Sequence, residues 1–454
     1  MVREEIRVLA RLAGPVVAAQ LGMVLFGLVD IWMLGRVGPR EMAAAALADA
    51  VLFGTMILGI GLVMGIDPFV SQAHGAGRGE EAGLAFQRGV VVAVLATVPL
   101  TAAWLFAGDL LVLFGQPGDL ADLAHAYTTP QIWSIGPMLV FVALRQYVQG
   151  RGIMMPPLWI ILGANALNAF LNWVLIFGHL GAPAMGVAGA GTATGITRSM
   201  MAAGLALLVF GRGLHRGAWT PWSRAMFDRA GLGRVVAVGA AIAVQIGLEM
   251  WAFNASTLVA GRLGATTAAA HIVVLKLASF AFMVPLGVSV AAATRVGNRI
   301  GAGDPRGAQR AALVSLALGA GVMCVSALAF LLFPRALAGF FTGSGEVVAI
   351  AASIFPIAAA FQIFDGTQAV GSGVLRGMGT PRPAAIFNLV GYYVLALPLG
   401  LLLAFPAGMG LPGIWIGLSG GLAVVAVLLL AWIVYRGPAR AVAVVSESAM
   451  SAVE

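Results

Sequence analysis

Leu12–Gly38 reads LAGPVVAAQLGMVLFGLVDIWMLGRVG, and the fold follows from how often this pattern returns along the chain. Its first part, Leu12–Leu34, holds a single charge, Asp30, and closes on the short polar joint Gly35–Gly38. A bilayer core about 30 Å thick is crossed by ~20 helical residues rising ~1.5 Å each, so this run is long enough to span. Further runs of the same kind follow, with Thr129–Val148 as the fourth, Val235–Ala260 as the seventh and Pro412–Tyr435 as the twelfth. Composition agrees: the chain is 60% hydrophobic and 10% charged, with a mean hydropathy of +0.97. A soluble chain carries roughly a quarter charged residues. The expected fold is an all-α polytopic membrane protein of twelve transmembrane helices.

The joint that closes the first span is also the first mark of an internal repeat. GRVG at Gly35–Gly38 answers GRLG at Gly261–Gly264, 226 positions on, and GAG at Gly75–Gly77 answers GAG at Gly301–Gly303 at the same offset. Gly150 and Pro157 answer Gly377 and Pro383 at offsets of 227 and 226, and MGVAG from Met185 answers MGLPG from Met409 at 224. Four ordered matches at nearly one offset divide the chain into two six-helix halves. The expected divisions are an amino-terminal lobe over 1–211, a linker over 212–234, a carboxyl-terminal lobe over 235–436 and a tail over 437–454. An offset of six spans keeps both copies in one orientation, the arrangement in which substrate binds between the halves near the midplane.

The formal charge is +8, yet the arginines stand in joints between apolar spans, which argues against nucleic acid as a partner. Alternate joints and the termini on one side hold 20 Lys and Arg residues against 4 on the other. The positive-inside rule then places both termini in the cytoplasm. Cys324 is the one cysteine, so no disulfide framework or cysteine metal cluster is available. The opening residues MVREEIRVLARLAG lead into the first span without a clear cleavage site, so that end is expected to be retained.

A charge at a helix centre costs about 2.5–3.5 kcal/mol on insertion scales, so charges inside spans mark function or pairing. Asp30 on the first span, Glu249 on the seventh, Lys276 on the eighth and Asp365 on the tenth are such residues. They are not repeat mates, so each half carries its own polar chemistry. Asp30 lies a few residues from Gly35 and has the alternative of reaching outer water. Glu249 and Asp365 are deeper, with Gln245, Gln362 and Gln368 as close sequence neighbours, and a buried structural pair is the alternative role. Lys276, the single lysine, is a candidate counter-ion for Glu249 or Asp365. Asn168 and Asn172 share one face of the fifth span and suit either interhelical glue or a polar relay. Asp49 and Asp67 stand near span ends, where an interfacial position is expected. Pro15, Pro137, Pro285, Pro356 and Pro398 should each bend the span that holds it. In the linker, WTPWSR from Trp219 is expected at the headgroup level, which tryptophans favour.

Longer stretches carry a family resemblance over Leu12–Tyr435. GLVDIWMLGRVG (Gly27–Gly38), VSQAHGAG (Val70–Gly77), VQGRGIMMPP (Val148–Pro157), NALNAFLNW (Asn165–Trp173) and VAGAGTAT (Val187–Thr194) are matched in the second half by three more. These are LEMWAFNASTLVAGRLG (Leu248–Gly264), FMVPLGVSVAAATRVGNRIGAGDP (Phe282–Pro305) and GSGVLRGMGTPRP (Gly371–Pro383). The chain resembles the multidrug and toxic compound extrusion (MATE) family, in its NorM-like and eukaryotic-like branch. The resemblance implies two pseudo-symmetric lobes around a V-shaped central cavity, a monomer, and no cofactor or resident metal. It also implies drug export by antiport against a cation gradient. Asp30, Asn168 and Asn172 stand where the family has an amino-lobe polar site, Glu249 and Asp365 where it has a carboxyl-lobe site, and Pro15 where it has a helix 1 hinge. Lys276 and Phe361 depart from Na⁺-driven relatives, Phe361 by standing where some of them have tyrosine.

The expected function is therefore secondary active efflux of small amphipathic, often cationic drugs and toxins across a bacterial inner membrane. The coupling ion is expected to be H⁺, taken up at one or more of Asp30, Glu249 and Asp365, with Na⁺ at Glu249 and Asp365 as the alternative, and membrane lipids are the surrounding partners. A lipid-linked oligosaccharide flippase of the same superfamily is the rival transport function. It would favour a basic cavity, whereas Arg198 and Lys276 are the basic residues inside spans. A channel would show downhill flux without antiport. No HExxH, GxGD or Ser–His arrangement occurs inside a span, which argues against an intramembrane enzyme.

Overall fold

In lipid every backbone N–H and C=O must find its partner within the chain, and an apolar run satisfies that by coiling into a helix. The computed structural model of the chain describes residues 2–113, 115 and 117–444. Its long helices are α1 (Val2–Leu34), α2 (Pro39–Gly75, with a 3-10 turn at Met64–Ile66), α3 (Gly79–Leu105), the shorter α4 (Ile135–Gly150), α5 (Met155–Phe177) and α6 (Gly186–Gly211). The second half holds α7 (Arg229–Gly261), α8 (Ala265–Gly301), α9 (Pro305–Leu332), α10 (Gly345–Gly377), α11 (Arg382–Ala404) and α12 (Leu411–Arg436). Among the described residues, eleven of these are long and apolar enough to cross a membrane. The chain is an integral, multi-pass membrane protein. The tail expected over 437–454 lies outside the described residues from 445 onward.

α4 is the helix that falls short. The fourth span was expected as one helix over Thr129–Val148, but Thr129–Ser134 forms a 3-10 turn between the helix Gly118–Thr128 and α4. α4 itself has 16 residues, a rise of about 24 Å. Pro130 and Pro137 lack the N–H that a continuous α-helix needs at this point, and the tighter turn accommodates that loss.

The chain forms two compact units. An amino-terminal unit comprises Ala18–Ala243, and a carboxyl-terminal unit joins Met1–Val17 to Val244–Glu454. The divisions do not coincide with the 212–234 linker. One falls inside α1, two residues after Pro15, and the other inside α7. Val17 and Ala243 are 226 positions apart, the offset of the sequence repeat, so both halves divide at the same place in their first helix.

Within the amino-terminal unit the linker is fastened along its length. Arg151 donates to the Leu214 carbonyl at 2.6 Å, Tyr147 to the Ala218 carbonyl at 2.6 Å and Gln87 to the Thr220 carbonyl at 2.8 Å. Asp228 then opens α7 by accepting the Gly231 N–H at 2.7 Å. That bond, followed by the Ala230 N–H and the charge of Arg88, holds the Asp228 carboxyl below its ordinary range. Because the folded value is depressed, the cap stabilises above the ordinary carboxylate range and is lost as the pH falls through the folded value.

Within the carboxyl-terminal unit, the start of α1 is held by charge. Glu5 accepts from Arg295 at 2.6 and 2.9 Å, and Arg299 lies 3.7 Å away while pairing with Asp304 at 2.9 Å. α10 runs close along α8, because Gly373 and Gly377 present no side chain to the backbones of Ser289 and Ala293. Small residues at such crossings let helices pack where the lipid supplies little driving force of its own.

Candidate functional site

The amino-terminal unit gathers its polar side chains around Asp30. Asp30 is buried on α1, and its two oxygens are served by different helices. Asn172 of α5 donates to Oδ1 at 2.5 Å, and Thr194 of α6 donates to Oδ2 at 2.9 Å. The Asn172 amide also donates to Asn168 Oδ1 at 3.2 Å, one turn away on the same face, and both asparagines are fully buried. The structure therefore brings Asp30, Asn168 and Asn172 together, and Asp30 does not reach outer water.

Three further residues extend this cluster. Tyr127 donates to Asp49 Oδ1 at 3.1 Å, so the Asp49 carboxylate is engaged within the unit. Arg198 stands one turn beyond Thr194 on α6, with its guanidinium carbon 5.8 Å from the Trp104 ring centre. Its positive charge acts on both Asp30 and Asp49. Thr194 closes the VAGAGTAT stretch and was within reach of sequence reading. The partnership of Arg198 with two acids depends on how α1, α2 and α6 meet, which no local pattern reveals. Removing the charge by Arg198→Met should leave the two carboxylates uncompensated. The expected cost is about 3 kcal/mol of stability, read as a lower melting temperature in detergent, with partial recovery when Asp49→Asn is added.

The carboxyl-terminal unit is built differently. Glu249 of α7 accepts from Gln368 of α10 at 2.9 Å and from Asn388 of α11 at 3.5 Å. Asn388 also donates to the Gln245 carbonyl at 3.4 Å, so amides from two helices, α10 and α11, serve this carboxylate. Asp365, one turn before Gln368 along α10, is buried and has no hydrogen bond or ion pair among the described residues. It feels the like charge of Glu249. The Tyr392 hydroxyl is buried without a hydrogen-bond partner among the described residues and lies within electrostatic reach of both acids. One turn from each acid stands a ring, Phe253 and Phe361, whose centres are 5.9 Å apart, and Tyr392 and Trp415 complete the aromatic wall.

Asn388 and Tyr392 were not singled out from the sequence. Leu389–Ala396 of α11 is π-helical, beginning directly after Asn388 and containing Tyr392. The wider turn re-aims residues relative to an α-helix, so a 3.6-residue period does not foresee which side chains face Glu249.

Lys276 corrects an expectation. It is exposed on α8 and forms no ion pair with Glu249 or Asp365. The buried stripe of α8 there runs through Val273, Val274 and Ala278, and Lys276 falls on the opposite side of the helix. Where Asp30 has its repeat mate, Ser256, the second half instead places a hydroxyl 3.4 Å from His271. No group of three or more His, Cys, Asp and Glu side chains converges among the described residues.

The MatE family model matches the chain twice, over residues 15–174 and 241–402, and the two matches begin 226 positions apart. The chain belongs to the MatE family. It is similar to the probable multidrug resistance protein NorM of Mesorhizobium japonicum, at 36% identity over 446 residues covering 94% of this chain and 93% of that protein. The multidrug resistance protein NorM of Burkholderia vietnamiensis is 37% identical over 429 residues, covering 93% and 92%. Among solved structures, the eukaryotic MATE transporter AtDTX14 superposes with a TM-score of 0.89 at 27% identity, covering 97% of this chain and 98% of that one. MatE proteins are transporters, and this chain is a transporter rather than an enzyme. The two MatE matches contain Asp30, Asn168 and Asn172 in the first and Glu249, Asp365 and Asn388 in the second, while Thr194 and Arg198 stand outside them.

Proposed function

We propose that this MatE transporter is a secondary active multidrug efflux antiporter, exporting amphipathic, often cationic compounds in exchange for H⁺. The observation that carries this reading is the pair Glu249 and Asp365: a partly buried acid held by two amides and a buried acid held by none, with aromatic rings one turn from each and no basic side chain paired to either among the described residues. The relatives named as multidrug resistance proteins support the substrate class.

An ionised carboxylate in a dry site is costly unless a positive partner joins it. A cationic drug is one such partner, and a proton removes the need for one. Drug and proton therefore compete for the same negative charge, and competition of this kind is what antiport requires. Coupling belongs to the carboxyl-terminal unit on this reading, because Arg198 already supplies the amino-terminal acids with a counter-charge. H⁺ is preferred to Na⁺ because Phe253 and Phe361 offer rings rather than oxygen ligands one turn from the acids. Lys276 no longer contributes to that preference. Pro15, just before the division between units in α1, is the hinge on this reading, and the arginine asymmetry supports a cytoplasmic position for both termini.

The test is efflux of a fluorescent cationic dye from liposomes holding the purified protein, with pH and Na⁺ gradients imposed separately. A pH gradient alone should drive efflux. Efflux driven by Na⁺ alone would replace the coupling ion. Movement under neither gradient would remove the antiport reading and bring forward the flippase alternative.

A further inference from the structure

The linker presents a surface that the transport chemistry leaves unused. Arg212, Arg216, Arg224 and Arg229 are all exposed, and none of them forms an ion pair among the described residues. The acid in their midst, Asp228, is already engaged: it caps α7 through Gly231 and pairs with Arg88 at 3.6 Å. Two large apolar side chains share this surface, Trp222 at 53% and Phe227 at 56% exposure. Elsewhere the linker is fixed, since its Leu214, Ala218, Thr220 and Ala225 carbonyls accept from Arg151, Tyr147, Gln87 and Arg88. The basic and aromatic groups are thus displayed on a fastened strap, not on a free tether.

That strap joins α6 to α7, two helices long and apolar enough to cross the membrane, so it is confined to a bilayer face. Free guanidinium groups there seek phosphate, and exposed Trp and Phe rings seek the boundary between headgroups and chains. We propose that the linker is a docking surface for anionic phospholipid headgroups, with the arginines on the phosphates and Trp222 and Phe227 inserted beside them. A juxtamembrane arginine strengthens such attraction by roughly five-fold, so four acting together give a marked preference over zwitterionic lipid. The surface is independent of how transport is coupled.

The experiment uses the full chain in phosphatidylcholine vesicles doped with brominated phosphatidylglycerol or, at equal mole fraction, brominated phosphatidylcholine. The readout is quenching of the Trp222 signal, obtained as the difference between the wild-type protein and Trp222→Phe. Quenching by the brominated anionic lipid should be several-fold stronger, and the preference should fade as salt screens the charges. In the quadruple variant Arg212→Gln, Arg216→Gln, Arg224→Gln, Arg229→Gln it should fall to the level of the zwitterionic lipid. Equal quenching by both lipids in the wild-type protein overturns the proposal without recourse to any variant. A preference unchanged in a folded quadruple variant, or in the double variant Arg216→Gln, Arg224→Gln should the quadruple variant not fold, overturns it as well.

Discussion

Glu249→Gln is expected to abolish proton-driven dye efflux while leaving the protein folded. Glutamine matches glutamate in size and can still hydrogen-bond to Gln368 and Asn388, so the local packing of α7, α10 and α11 has a substitute contact. What disappears is the negative charge. A buried contact between a carboxylate and a cation is worth about 3 kcal/mol when one partner is removed, on the order of a hundredfold in affinity. The same substitution removes the group that takes up the proton. Dye binding and proton coupling should therefore fail together, seen as loss of efflux under a pH gradient and a flattened pH dependence of dye binding. Asp365→Asn should weaken both by a smaller factor, since Glu249 remains as the charge beside it. Normal transport by Glu249→Gln would contradict the coupling assignment.

The second large effect is structural. Gly377→Val should cost about 3 kcal/mol or more, because a Cβ there would strike the Ala293 backbone of α8. A flexible side chain could move aside, but a helix backbone cannot yield without shifting α8 against α10. Gly373→Val should behave alike, meeting the backbone and hydroxyl of Ser289. Gly343→Ala, in open space before α10, serves as the control. Melting in detergent and the recovered monodisperse fraction measure all three, and a Gly377→Val protein as stable as the control would refute the close-packing account.

Much of this molecule is legible in its sequence because lipid imposes a simple rule. Apolar runs of span length become helices, and the exceptions stand out as charges. Asp30, Asn168 and Asn172 could be grouped since two lie one turn apart and the third is an acid in an apolar span. The GRVG–GRLG pair revealed the duplication, and the two MatE matches carry the same offset. Less legible were features set by three-dimensional phase. A lone lysine inside a span suggests a counter-ion for the acids, yet helical phase puts Lys276 off the buried stripe of α8. Asn388 and Tyr392 depend on a π-helical stretch that has no simple sequence signature. The charge of Arg198 acts on Asp49 only through the packing of α2 against α6. The fourth span shows the limit from another side, for hydropathy smooths over the 3-10 turn that Pro130 enters.

The division of α1 at Val17 also sets an order of assembly on the ribosome. Ala18–Ala243 is one uninterrupted stretch, so all of its packing partners have been synthesised before Val244 is added. The other unit is discontinuous: Glu5 meets Arg295, 290 residues later in the chain. Glu5 must therefore wait, its carboxylate unmatched, until Arg295 of α8 emerges. Closing so long a loop is slow and late in folding. Nascent chains halted between Ala243 and Arg295 would hold the residues of one whole unit and an orphaned amino terminus, the stage at which insertion factors have most to protect.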